Sequence, residues 1–204
     1  MSGYPVVLEG STIVAVVIGG GAVALRKATA LLESGARVHV VAPDVHPDLT
    51  RLADARPGLL RVTSDSYRAT YLADATLVVA ATGDGAVNSQ VAADARERGA
   101  LVNVVDAPSL GNFITPAVHR SGEVLVAVSA GGAPKAAVRI RDAIALTIDA
   151  RYADAVRELT ALRRSLLDAG NRERWTEASS VLVGERFCEQ VESGDFVTKV
   201  AEWR

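Results

Sequence analysis

Gly19, Gly20 and Gly21 follow the apolar run Thr12–Ile18 and precede an amphipathic run; with Ala24 they give the spacing G-x-G-x-x-A. Each position has a mechanical reason. A glycine at 19 allows a tight turn out of a strand, and one at 21 lets backbone approach a pyrophosphate. A small residue at 24 lets helix and sheet pack closely. A helix over Val23–Ser34 would aim free N–H groups and its positive dipole end at phosphate. Cofactor contacts are therefore expected at Gly19, Gly20, Gly21, Ala22 and Val23. The acidic residue that such a unit carries about 20 positions on is Asp44, just after Pro43. A carboxylate there accepts from a ribose 2′-hydroxyl and repels a 2′-phosphate, so NAD is favoured. Arg51, the next arginine, keeps NADP open as the alternative.

The elements that must hold these residues alternate. Thr12–Ile18 and Arg37–Ala42 read as strands buried on both faces, joined by the helix that Gly35 ends. A helical pattern over His46–Asp54, a short strand at Leu60–Thr63 and a helical turn at Tyr67–Ala73 follow. Thr76–Ala81 and Leu101–Val105 read as strands, separated by a helix over Gly85–Arg98. Tyr4–Leu8 is expected to add a short edge element. Short connections between alternating elements predict an α/β fold with a doubly wound parallel sheet of Rossmann type. Ligands of such sheets lie beyond the carboxyl ends of the strands. That rule gathers Gly19–Gly21, Pro43, Asp44, Ala81, Thr82 and Asp106 around one crevice. Thr82 and Asn88 could reach the nicotinamide half of the cofactor; a helix N-cap or local backbone partner is the other reading of each. Asn103 is expected to satisfy neighbouring backbone groups.

The composition agrees with a globular chain: 49% hydrophobic, 23% charged, net charge −2 over 204 residues. With no basic run, nucleic acid is not an expected partner. A single cysteine, Cys188, excludes an internal disulfide and a cysteine-cluster metal site. His39, His46 and His119 are isolated in sequence, so no metal site is expected; His46 and His119 read as surface groups. The opening MSGYPVVLEGS shows no charged lead or cleavage site, and no apolar run reaches membrane-spanning length. A soluble cytoplasmic protein is expected.

The alternation breaks after residue 113. Ile114–His119 and Glu123–Ser129 read as a hairpin turning at Arg120-Ser121-Gly122. Pro134 opens a helix expected to run to about Arg151, and Tyr152–Ala169 is another, followed by a partly helical tail. Three parts are predicted: a dinucleotide-binding domain at 1–113, a hairpin-and-helix segment at 114–150 and a helical domain at 151–204. The middle segment is too small to bury a core alone, so it is expected to complete one against a second copy, giving a homodimer.

The runs GGGAVALRKATALLESGARVHVVAP, VVAATGDGAVN, VNVVDAPSLGNFITPAV and VLVAVSAGG resemble, in order and spacing, the precorrin-2 dehydrogenase family, which includes the N-terminal half of siroheme synthase. The likeness extends from about Val7 to Arg141. It implies NAD-dependent oxidation of the tetrapyrrole precorrin-2 to sirohydrochlorin, on the way to siroheme, in an intertwined homodimer. Asp106, in the context VNVVDAP, stands where that family has its functional aspartate. A carboxylate held partly desolvated beside the substrate could take the proton that leaves with the hydride. Cations should meet the substrate's carboxylates, with Arg120, Lys135 and Arg139 as candidates beside Ser129; Arg26, Lys27 and Arg141 are further ones. Ala130 stands where the family often has Ser or Thr.

Some members of that family also insert ferrous iron into sirohydrochlorin, and Asp106 could serve there too; the residues leave this open. The competing reading is an NAD(H)-sensing regulatory module without catalysis. A sensor would need neither the carboxylate at 106 nor a cation-lined hairpin and helix.

Overall fold

The computed structural model describes residues 3–204. The chain forms two compact units, one ending at Thr115 and one beginning at Pro116. The first is built on five parallel strands: β1 (Val14–Ile18), β2 (Arg37–Ala42), β3 (Leu60–Ser64), β4 (Leu77–Ala80) and β5 (Leu101–Val104), in the order β3-β2-β1-β4-β5. Helices α1 (Ala22–Glu33), α2 (Pro47–Ala55) and α3 (Gly85–Glu97) flank it. This is the predicted doubly wound, Rossmann-type α/β architecture.

Continuous β-branched runs become the central strands because both of their faces find cover. Ala15, Val17, Val38 and Val40 share one core cluster with Ala24, Ala28 and Leu32 of α1 and Leu49 of α2. Val16, Ile18, Val78 and Val102 share the other with Val91, Ala92 and Ala95 of α3. Each fully buried Val or Leu contributes about 1.5–3 kcal/mol. Ala24 and Ala28 are completely buried, so small side chains bring α1 close to the sheet, as the fingerprint requires. Register then sets the site. Ile18 lies opposite Val41 on one side and Ala80 on the other, and Ala80 lies opposite Val104. Four strands thus end nearly level, and the residues just beyond them share one edge.

Several expectations need correction. Tyr4–Leu8 pairs with no strand and is exposed throughout; Pro5 has no N–H to give a ladder. The turn at 67–73 narrows to a 3-10 helix, Ala69–Leu72. Its Tyr71 meets His39 of β2 edge to face, with ring centroids 5.6 Å apart. Burial, and then the Arg61 charge on β3, hold the His39 imidazole below its usual pKa. The outer edge of β5 is closed by the loop after it. Asn112 accepts from the Val102 N–H through Oδ1 (2.7 Å), and its own N–H donates to the Val102 carbonyl (2.9 Å). Asn103 donates to the Phe113 carbonyl at 3.1 Å, the backbone-satisfying role expected of it.

The second unit opens with an antiparallel hairpin, β6 (Ala117–Ser121) and β7 (Val124–Val128). Pro116 delays the first strand, and the turn is the two residues Gly122-Glu123, not 120–122. Gly122 takes φ +54°, the left-handed conformation that tight hairpin turns demand. The expected helix from 134 to 151 is interrupted: α4 (Pro134–Ala145) ends, and α5 (Ala150–Asp168) starts afresh. Asp149 caps α5 by accepting from the Arg151 N–H at 2.9 Å. Two hairpin side chains hold the intervening backbone: His119 bonds the Ile148 carbonyl (2.6 Å) and Ser121 donates to that of Asp149 (2.7 Å). His119 is thus half-buried and structural. Helices α6 (Arg172–Leu182), α7 (Phe187–Ser193) and α8 (Phe196–Ala201) close the unit. Its core gathers Tyr152, Leu162, Leu182, Phe196 and Val200. Cys188 is exposed. No helix among the described residues is long and apolar enough to cross a membrane.

Candidate active site

At the level carboxyl edge, the loop after β1 is stitched to its neighbours through backbone. Gly19 N–H donates to the Val41 carbonyl (2.9 Å), and His46 N–H donates to the Gly20 carbonyl (2.8 Å). Both glycines are required by close approach. Gly19 has φ +129°, and a Cβ there would lie 2.4 Å from the Ala81 carbonyl oxygen; at Gly20 a Cβ would lie 2.0 Å from that of Asp44. The loops after β1, β2 and β4 therefore form one tightly packed ridge.

Gly21 differs. It is the N-cap of α1, supplies no side-chain cap, and a Cβ placed on it would meet nothing within 4 Å. The first N–H groups of α1, on Ala22 and Val23, are left without a side-chain acceptor, and the space before them is open. That arrangement fits a pyrophosphate, whose oxygens would accept from those N–H groups beside a favourable dipole end. Pro43 and Asp44 are exposed next to this loop. Arg51 is ion-paired with Asp48 at 2.6 Å, one turn away on α2, and His46 serves as the N-cap of that helix, accepting from the Asp48 N–H at 3.2 Å.

On the far side of the ridge, Asp84 caps α3. Its carboxylate accepts from the N–H groups of Ala86 (2.8 Å) and Val87 (3.3 Å). Asn88, on the next turn of α3, is 1% exposed. Its amide accepts from the Thr82 N–H (3.2 Å) and hydroxyl (2.7 Å), and donates to the Thr82 carbonyl (3.1 Å) and to Asp106 Oδ1 (3.0 Å). The oxygen of the half-buried Thr82 hydroxyl also accepts from the Asp84 N–H at 3.1 Å. Asp106 stands beyond β5, and its side chain is exposed rather than partly desolvated as expected. The structure thus brings Gly19, Gly20, Gly21, Ala22, Val23, Pro43, Asp44, Ala81, Thr82, Asn88 and Asp106 to one sheet edge.

The candidate substrate cations divide between the two units. Arg120 on β6, Ser129 just after β7, and Lys135 and Arg139 on α4 all belong to the second unit, where all four are exposed. Arg141 is held by Asp142 (2.6 Å) and the Val118 carbonyl. In the first unit Arg26 is exposed, whereas Lys27 is half-buried on α1 and donates to the Thr115 hydroxyl. Burial, then the neighbouring Arg26 charge, lowers the Lys27 pKa from its usual value. The Asp84 cap is a further feature of this edge, beyond the residues expected from the sequence. Asp-Gly at the start of an apolar-periodic run signals it.

The fold and this edge define a dinucleotide-binding protein. A family model described as putative NAD(P)-binding matches residues 6–117, just over half of the chain, and the chain belongs to that family. Siroheme synthase from Methylococcus capsulatus is 40% identical over 170 residues, which are 83% of this chain and 35% of that protein. Siroheme synthase from Chromobacterium violaceum is 38% identical over an alignment of 207 positions that covers 99% of this chain and 43% of that one. The chain thus spans about a third to two fifths of the length of these relatives. Among solved structures, SirC, a precorrin-2 dehydrogenase, superposes with a TM-score of 0.77 at 28% identity, covering 98% of this chain and 99% of that one.

Proposed function

We propose that this chain oxidises precorrin-2 to sirohydrochlorin with NAD+ as oxidant, and works as a homodimer. The observation that carries the reading is the placement of Asp106, a carboxylate on the same level edge as the phosphate cradle and bonded through Asn88 to Thr82, which packs beside Gly19. Likeness to SirC along nearly the whole chain supports the substrate. Bound NAD+ supplies the hydride acceptor. Oxidation removes one hydride and one proton from the substrate, and Asp106 takes the proton on a carboxylate oxygen, from which it passes to water. Asp44 favours NAD through the ribose 2′-hydroxyl. Dimerisation is supported by apolar side chains left exposed on the hairpin and α4, Val118, Val138 and Ile140. Light scattering of the purified protein should give twice the chain mass.

The test is Asp106→Ala under anaerobic conditions, with precorrin-2 and NAD+, following NADH absorbance and the sirohydrochlorin spectrum. Loss of a general base lowers turnover by about 10²–10⁴-fold, while folding and NAD affinity persist. Turnover near that of the unaltered protein would remove Asp106 from the reaction.

A further inference from the structure

Of the two readings of Asn88, the geometry supports the local backbone partner, and it adds a bond to Asp106. A primary amide has two donors and an oxygen with two lone pairs, and in Asn88 all four are occupied inside the protein. Oδ1 accepts from the Thr82 N–H and hydroxyl, and Nδ2 donates to the Thr82 carbonyl and to Asp106 Oδ1. Nothing is left for a ligand. The orientation is also fixed. The backbone N–H of Thr82 demands an acceptor and its carbonyl demands a donor, so the amide can lie only one way round, with its second N–H aimed at Asp106. Burial makes that demand strict, since an unmet polar group at 1% exposure is costly.

Asp106, by contrast, is exposed on the loop after β5, and Asn88 is its single side-chain hydrogen-bond partner among the described residues. We propose that Asn88 is a positioning residue. It takes its own orientation from the Thr82 backbone beside Gly19 and Ala81, and fixes one oxygen of Asp106 so that the other faces the substrate. This rests on Asp106 being the proton acceptor, and it adds the reason an exposed carboxylate stays in register with the nicotinamide end of the cofactor site.

The experiment is a double-mutant cycle: Asn88→Ala, Asp106→Ala and the pair, each assayed for kcat, KM and NAD affinity with precorrin-2. Misplacing a reacting group by about 1 Å costs on the order of 10²-fold, so Asn88→Ala should lower kcat by roughly 10–100-fold while KM for NAD holds. In the Asp106→Ala background the same change should cost almost nothing, because the group it positions is gone. An equal loss in both backgrounds would overturn the inference and leave Asn88 a structural residue. If Asp106→Ala itself turns over normally, the proposed function fails instead, and the two failures are distinct. A second readout needs no Asn88 variant. In ¹⁵N-labelled protein the Asn88 side-chain NH₂ resonances should move in Asp106→Ala, a substitution on an exposed loop; unmoved resonances would also overturn it.

Discussion

Helices α1 and α3 both start just past a strand at the same edge of the sheet, and they treat their first turn in opposite ways. Every helix start presents N–H groups with no internal partner and about half a positive charge. At α3 the chain answers with its own carboxylate, Asp84, bonded to two N–H groups. At α1 it places Gly21, which offers no acceptor and leaves open space. One start is complete without a ligand, whereas the other forgoes a side-chain cap worth a few tenths of a kcal/mol over glycine. The difference shows where stability has been forgone for binding, and it separates the cradle from a neighbouring loop that also contains glycine.

The comparison can be broken most severely at Gly19. An alanine there must hold φ +129° and bring Cβ within 2.4 Å of the Ala81 carbonyl oxygen. Overpacking against backbone together with that strain should cost about 3 kcal/mol or more, read as a fall in urea midpoint. Next in size is Gly21→Asp, which transplants the α3 solution onto α1. The new carboxylate has room, and the φ −86°, ψ −171° backbone suits a cap. Unfolding should become harder by only a few tenths of a kcal/mol, while NAD affinity, measured by calorimetry, falls on the order of 100-fold through charge repulsion with the pyrophosphate. A variant that still binds NAD normally would mean that the cofactor lies elsewhere. Smallest is Asp84→Ala, expected to lose about 1 kcal/mol of stability with NAD affinity unchanged, and Asp84→Gly only a few tenths.

Much of the first unit was legible because its strands are continuous β-branched runs between glycine signals, a pattern that suits burial on both faces. The cradle residues were legible too, since parallel sheets put their ligands at one edge. Other features depend on contacts the chain order hides. Asn88 and Asp106 are 18 positions apart and meet only because β4 and β5 are neighbours. Apolar spacing through Ile144–Ile148 masked the break before α5, although Asp149 carried a capping signal. Pro116 similarly outweighed the apolar Ile114 when β6 began. The exposure of Asp106 follows from the loop it stands on, and its residue type could not reveal that.

The two flanks of the sheet differ in whether another chain could lengthen it. Along β5, Asn112 and the turn that carries it already occupy the outward amide and carbonyl of Val102, so an incoming strand would find them taken. Along the free flank of β3 no such lock exists among the described residues, and there the exposed guanidinium of Arg61 would have to shed its water beneath any guest. One side of the molecule is therefore guarded by occupancy and the other by charge, a division that keeps an otherwise very apolar ribbon from recruiting its own kind.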